Sequence, residues 1–173
     1  MLAARYLAGY PLELIAQAEP RRLDGRLADH LARRLPERHE VRSVAALFDY
    51  VQVFKARHLR NAGPLNYVGF DAKLRVLQQA LGTHTRRTQV QGARLKTRRE
   101  IRVATLFREA PAALLRMIVV HELAHLRELD HNKAFYQLCQ HMEPEYFQLE
   151  FDLRLYLMNL EHPASDAVEQ GAA

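Results

Sequence analysis

The chain has 173 residues, of which 49% are hydrophobic and 26% charged, and its formal net charge is +5. This composition is ordinary for a globular protein, and the length suffices for one domain with its own core. A single cysteine, Cys139, excludes an intramolecular disulfide and a cysteine-rich zinc knuckle. Because no apolar run reaches membrane-spanning length and no signal-peptide pattern begins the sequence, we expect a cytoplasmic protein without a membrane partner.

The N-terminal 82 residues are predicted to be helical, because their apolar residues recur with helical spacing between capping and breaking residues. Ser43 is a suitable N-cap, and Gly82 is a suitable residue to end a helix. The stretch NAGPLNYVGF, residues 61–70, is typical of a loop. The predicted helices are Pro11–Glu19, Leu23–Leu35, Ser43 to about Arg60, and Asp71 to Gly82.

From Thr83 the pattern changes to alternation with many β-branched residues. The stretches THTRRTQVQG and LKTRREIRVATLF flank Gly92, which suits a turn, so we predict an antiparallel pair of strands. Pro111 begins the next helix, whose apolar residues as far as Leu129 cover more than one face and predict a central, buried position. Two further helices are predicted at Lys133–Met142 and Pro144–Leu160.

These elements predict an α+β protein. Residues 1–162 are expected to form a single domain, with a helical N-terminal part over 1–82 and a core over 83–162. In that core a small antiparallel sheet would pack on the helix that follows Pro111. The tail at residues 163–173 is small and polar, and we expect it to be disordered.

Positive charge is concentrated between His84 and Arg102, where Glu100 is the only acid. From Glu143 onward the sign reverses, with Arg154 as the only basic residue. This asymmetry indicates an anionic partner for the middle of the chain, although a solvated strand face would look the same. The basic residues are Arg86, Arg87, Arg94, Lys96, Arg98, Arg99 and Arg102.

The stretch VVHELAHLRELDH, Val119–His131, carries the strongest chemical signal. On a helix, His121 and His125 lie on one face and can present two imidazole nitrogens to one metal ion. Glu122 stands beside the first of them, angled so that it can act on a water molecule without binding the metal. Polar side chains inside so apolar a helix would cost several kcal/mol if uncompensated, which favours a metal site over core histidines.

A catalytic zinc site needs a third protein ligand and one open position. His131 is our candidate, but an unbroken helix would turn it about 120° away from His125. We therefore predict that the helix ends first, with Asp130 in the left-handed conformation. The alternative third ligands are His141, Glu143 and Glu145. Tyr136 and His141 are further candidates for oxyanion or outer hydrogen-bonding roles, with simple packing as the alternative.

The stretch VVHELAHLRELDHNKAFYQLCQHMEPEY resembles the YgjP-like metal-dependent hydrolases, which are akin to SprT-type zinc metallopeptidases. Their His-Glu-Leu-x-His pattern is followed by Asn-His-Ser-x-x-Phe-Trp, where this chain has Asp-His-Asn at 130–132 and Ala-Phe-Tyr at 134–136. The family's Trp-Gly-Ser-Cys stretch is not matched, since QVQGARLK keeps only Gly92. The resemblance covers about residues 80–150. It implies a minimal zincin core, a small antiparallel sheet packed against the active-site helix.

The leading interpretation is a zinc-dependent peptidase, with another divalent metal as an alternative cofactor and Glu122 as general base. Its peptide or protein substrate would lie along the strand Ile101–Phe107 by β-augmentation. The resemblance also implies a second function, a UTP-type nucleoside-triphosphate pyrophosphatase, in which the arginines from Arg86 to Arg102, among them the candidates Arg98, Arg99 and Arg102, would clamp phosphates.

Two further interpretations have less support in the sequence. The basic strands could bind nucleic acid, as in a DNA-associated SprT-like protease, but no recognised DNA-binding motif accompanies them. The histidines could instead form a purely structural zinc module. Glu122 disfavours that interpretation, because a structural site needs no general base.

Overall fold

A computed structural model describes residues 2–76 and 99–161, and the prediction of an α+β protein is confirmed. The described helices are α1 (Leu2–Tyr6), α2 (Leu12–Leu23), α3 (Arg26–Arg34), α4 (Val44–His58), α5 (Ala112–Ala124), α6 (Lys133–Met142) and α7 (Tyr146–Leu160). The strands are β1 (Tyr67–Asp71) and β2 (Glu100–Ala104), and a short 3-10 helix at Thr105–Arg108 follows β2. Over the described ranges, no helix is both long enough and apolar enough to cross a membrane.

The sheet of the described residues is a parallel pair, with Val68 opposite Ile101 and Phe70 opposite Val103. The predicted antiparallel orientation is therefore wrong for this pair. The sequence pattern missed β1. The glycines, proline and asparagines of residues 61–70 favoured a loop, whereas Tyr67 to Phe70 are extended and belong to β1. The first strand of the predicted pair, at 83–92, lies outside the described residues.

Asp71 ends β1 instead of capping a helix. Its side chain accepts a hydrogen bond from the Lys73 backbone N–H at 2.8 Å, so it stabilises the turn that leaves the strand. Most of the helix predicted from Asp71 to Gly82 lies outside the described part of the chain.

The two faces of the sheet differ in chemistry. Val68, Ile101 and Val103 are buried on one face, and α5 packs against β2 and α4 against β1. The other face, here called the outer face, presents the remaining side chains of each strand, because successive residues alternate across a strand. Its polar and aromatic members are Tyr67, Asp71, Glu100 and Arg102.

Helix α5 is the most buried helix in this part of the molecule, as its all-round apolar pattern predicted. Pro111 precedes its first residue, and the Pro111 carbonyl accepts hydrogen bonds from the N–H groups of Leu114 and Leu115. The helix ends at Ala124. Leu129 is consequently not part of the buried helix, and its side chain is 64% exposed.

The described residues group into two compact units, one of residues 2–34 and 151–161 and the other of residues 35–76 and 99–150. In the first unit, the buried Asp152 forms an ion pair with Arg34 at 3.2 Å. The whole histidine motif lies in the second unit. The domain boundaries at 1–162 and 163–173 stay predictions.

Candidate metal centre

The chain between His125 and His131 leaves the helix through tight turns. The N–H groups of Leu126 and Arg127 bond to the carbonyls of Leu123 and Ala124 at 3.1 and 3.0 Å, so the end of α5 winds more tightly than an α-helix. No described non-glycine residue has a positive φ. The prediction that Asp130 adopts the left-handed conformation is therefore wrong, although the predicted end of the helix before His131 is confirmed.

The start of the next helix fixes the position of His131. Asn132 is the N-cap of α6, and its side-chain oxygen accepts a hydrogen bond from the Phe135 N–H at 2.9 Å. Side-chain capping of this kind satisfies one of the free N–H groups at a helix start. His131 lies in a loop, but it directly precedes Asn132, the residue that caps the N-terminus of α6.

The structure brings the Nε2 atoms of His121, His125 and His131 together. They are 3.3 Å apart between His121 and His125, 3.2 Å between His121 and His131, and 3.0 Å between His125 and His131. A tetrahedral zinc ion with Zn–N bonds of 2.0–2.1 Å separates two nitrogen ligands by about 3.3 Å. The three imidazoles therefore fit a single metal ion, and they form a group that could hold one.

Hydrogen bonds on the far side of two rings determine which nitrogen faces the centre. The Nδ1 of His125 lies 2.9 Å from the Glu128 carbonyl oxygen. Since a carbonyl can only accept, Nδ1 carries the proton and the Nε2 lone pair faces the other histidines. The Nδ1 of His121 lies 2.7 Å from the Tyr146 hydroxyl, in a buried contact.

Phe135 forms an apolar wall for the cluster. Its ring centroid lies 5.0, 4.6 and 4.7 Å from those of His121, His125 and His131, and its side chain is fully buried. An apolar wall lowers the local dielectric, which strengthens electrostatic interactions at the centre.

Glu122 lies on α5 beside the first histidine but does not belong to the group of converging ligand atoms. Burial raises the pKa of its carboxyl group to about 8. A nearby cation would oppose that effect, because an opposite charge favours the ionised form. The position suits a group that exchanges a proton near neutral pH.

Two of the other candidate third ligands, His141 and Glu143, contact residues outside the cluster. His141 is exposed, and its ring lies 5.8 Å from that of His58. Glu143 is buried in an ion pair with Arg116 and accepts a hydrogen bond from the Glu145 N–H at 3.1 Å. Among the described residues, none of the three rivals belongs to the converging group.

Tyr136, a candidate for an outer role, lies between the cluster and an aromatic neighbour. Its ring centroid is 6.2 Å from that of His131 and 5.4 Å from that of Phe147. Phe147 is 46% exposed, so this side of the cluster reaches the surface.

The basic candidates divide into different environments. The Arg102 guanidinium forms ion pairs with Glu100 at 3.2 Å and Asp71 at 3.3 Å, and it lies 4.8 Å from the centroid of the Tyr67 ring. Arg99 is exposed, and its guanidinium lies against Gly63. Arg98 lies outside the described residues.

The strand proposed for substrate binding is shorter than predicted. β2 ends at Ala104, and the chain continues as the 3-10 helix Thr105–Arg108. Only Glu100 to Ala104 is therefore extended, and the predicted range Ile101–Phe107 is wrong at its C-terminal end. Phe107 turns inward and is fully buried.

Two residues of the centre were not found from the sequence. Tyr146 contacts His121, and Cys139 interacts with Tyr146. Neither stands at a ligand spacing from the motif, and 25 residues separate His121 from Tyr146. Their position depends on the packing of three helices, for which the sequence offers no local pattern.

The residues that carry this geometry lie in a part of the chain that is similar to known proteins. The family described as "YgjP-like, metallopeptidase domain" matches residues 68–156, which include both strands and the whole histidine cluster. A protein of Escherichia coli (strain K12) named UTP pyrophosphatase is 56% identical over 155 residues, covering 90% of this chain and 93% of that protein. No solved structure gives a significant match.

The family match covers more than half of the chain, and it includes every residue of the converging cluster. The chain belongs to the YgjP-like metallopeptidase-domain family and is a metal-dependent hydrolase.

Proposed function

We propose that this chain hydrolyses nucleoside triphosphates, UTP in particular, to the monophosphate and pyrophosphate. Water would attack the α-phosphorus, the bond from that phosphorus to the bridging oxygen would break, and pyrophosphate would leave. The observation that carries the proposal is the 56% identity to a UTP pyrophosphatase across nearly the full length of both chains.

His121, His125 and His131 would hold the metal, with zinc as our first choice because three imidazole nitrogens suit it. When bound, a divalent cation supplies positive charge that polarises a phosphoryl oxygen and makes a nearby water molecule more acidic. The tautomer fixed at His125 by the Glu128 carbonyl keeps one lone pair directed at the centre. His125 would therefore meet a metal as a neutral donor, with little reorganisation.

Glu122 would be the general base. Its carboxylate would accept a proton from the attacking water, and it stands next to a proposed ligand without joining the converging group.

Arg99 is our candidate for binding the polyphosphate. It is exposed, and the structure records no carboxylate partner for its guanidinium among the described residues. Arginine is suited to this role because its planar fork can bind two phosphate oxygens at once. Arg102 is a weaker candidate, because Glu100 and Asp71 already neutralise its charge.

The second candidate function is a peptidase, which the printed description of the matched family favours. β2 packs against the histidine-bearing helix and has one neighbour, β1, among the described strands. A peptide could pair with such a strand through its backbone. We rank this function second because the relative named UTP pyrophosphatase is similar to this chain over nearly its full length.

The deciding experiment follows both substrates with one preparation. Purified protein would be stripped with a chelator, reloaded with zinc, manganese or magnesium, and given UTP, the other nucleoside triphosphates or a mixed protein substrate. Phosphorus NMR should show UMP and pyrophosphate only in the metal-loaded samples. Protein cleavage without nucleotide hydrolysis would refute the proposal in favour of the peptidase, and formation of UDP and phosphate would refute the bond assignment.

A further inference from the structure

A buried series of polar contacts runs from the histidine cluster into the core of its own unit. The His121 Nδ1 lies 2.7 Å from the Tyr146 hydroxyl, and both side chains are buried. The Tyr146 hydroxyl also interacts with the thiol of Cys139, which is fully buried. The three residues come from α5, α7 and α6, so the series joins all three helices around the cluster.

The direction of each hydrogen bond follows from the groups involved. His121 turns its Nε2 toward the other two histidines. A neutral ring that offers an Nε2 lone pair there must carry its proton on Nδ1, which donates to the Tyr146 oxygen. The Tyr146 O–H is then available to donate to the sulfur of Cys139, a weak acceptor.

The same contacts also restrain the His121 ring. Its plane lies 18° from that of Tyr146, at a centroid distance of 6.3 Å. The His121 ring meets the Phe135 ring edge-on, with an interplanar angle of 75° and a centroid distance of 5.0 Å. His121 is thus enclosed by two buried aromatic rings, and its Nδ1 contacts the Tyr146 hydroxyl.

We propose that Tyr146 is a positioning residue of the metal centre, which fixes the tautomer and orientation of His121 while Cys139 orients the tyrosine hydroxyl. This inference rests on the proposed metal-binding role of the three histidines, and it is independent of whether the substrate is a nucleotide or a peptide. Outer partners of this kind raise the basicity of a histidine ligand and prepare it for the metal.

A purely structural role predicts a different outcome from the proposed one. Phenylalanine at position 146 would fill almost the same space but would leave the His121 N–H without its acceptor. If only packing mattered, Tyr146→Phe would bind metal as the wild type does. If the hydroxyl positions the ligand, the metal affinity should fall while the fold is kept.

The test is a metal titration of the full chain with zinc against a competing chelator. We expect Tyr146→Phe to bind zinc about 10–100-fold more weakly, the usual effect of removing an outer partner. Cys139→Ala should have a smaller effect, and Cys139→Ser should stay close to the wild type because serine keeps an acceptor. In the Tyr146→Phe background, Cys139→Ala should not lower the zinc affinity further, because Cys139 would act through the hydroxyl that Tyr146→Phe removes.

Tyr50→Phe is the matched control, since Tyr50 belongs to the same unit and its ring lies against Phe54 and not against a histidine. Thermal melting of the metal-free proteins would separate a loss of folding from a loss of affinity. Equal weakening in Tyr50→Phe and Tyr146→Phe would refute the positioning role.

The tautomer gives an independent readout. Nitrogen NMR of the metal-free wild type should show His121 protonated at Nδ1, and Tyr146→Phe should show a mixture of the two tautomers. An unchanged tautomer together with wild-type affinity would overturn the proposal. A wild type that binds no metal would overturn both this proposal and the metal role beneath it, whereas one that binds metal but hydrolyses no UTP would overturn the nucleotide assignment alone.

Discussion

The histidine cluster and the outer face of the sheet both gather ionisable side chains, but by opposite principles. In the cluster, three groups of the same kind direct their Nε2 atoms at one another within 3.3 Å. On the outer face, Arg102 is paired with Glu100 and Asp71, which carry the opposite charge. The first arrangement would be completed by a cation, and the second is already neutralised.

Burial separates the two regions further. His121 is 3% exposed and is enclosed by aromatic rings, whereas the Arg102 side chain is 44% exposed. Exposed ion pairs contribute only about 0.2–1 kcal/mol each. A buried polar group without a partner costs about 1–3 kcal/mol. Convergence of like groups in an apolar setting is therefore the better sign of a functional site than a concentration of charge.

Glu122→Gln is expected to give the largest effect on turnover. Removing the general base should lower kcat about 10²–10⁴-fold. Metal content should be kept, because the change leaves all three histidines in place. Elemental analysis and a UTP hydrolysis rate would be measured together, with Glu109→Gln as the control because the side chain of Glu109 is 74% exposed. Loss of metal along with activity would make Glu122 a ligand.

His131→Ala should weaken metal binding by more than about 100-fold, since even outer partners of metal ligands contribute about 10–100-fold. His141→Ala is the matched histidine change and should leave affinity nearly unchanged, because His141 is exposed and lies against His58. The measurement is a zinc titration with a competing chelator. If His141→Ala proves the more damaging change, the third ligand has been misassigned.

Arg99→Gln and Arg102→Gln compare two neighbouring arginines with different partners. Among the described residues, Arg99 has no recorded carboxylate partner, whereas Arg102 forms ion pairs with two carboxylates. A charge-assisted hydrogen bond contributes about 1.5–3 kcal/mol, so Arg99→Gln should reduce kcat/KM for UTP about tenfold or more. Arg102→Gln should change it by a few-fold at most, since its partners are Glu100 and Asp71. The reverse ranking in steady-state kinetics would show that the outer face binds the substrate.

The convergence of the motif could be predicted from the sequence because it depends on helix geometry. Residues four apart share a helix face whatever the rest of the fold does, so His121 and His125 were paired correctly. The end of the helix before His131 was likewise predictable from the angle that an unbroken helix would impose. The conformation of the turn was not, since Asp130 keeps a negative φ and consecutive tight turns reverse the chain instead.

The helical placement of the His-Glu-x-x-His motif and the burial of α5 could be read from local sequence patterns. The parallel pairing of β1 with β2, the ion pair of Glu143 with Arg116, and the contact of Tyr146 with His121 depend on tertiary packing. The difference lies in the range of the interactions. Helical periodicity is set by neighbouring backbone hydrogen bonds, whereas strand pairing and buried side-chain contacts join residues 25 to 33 positions apart and depend on how whole elements pack.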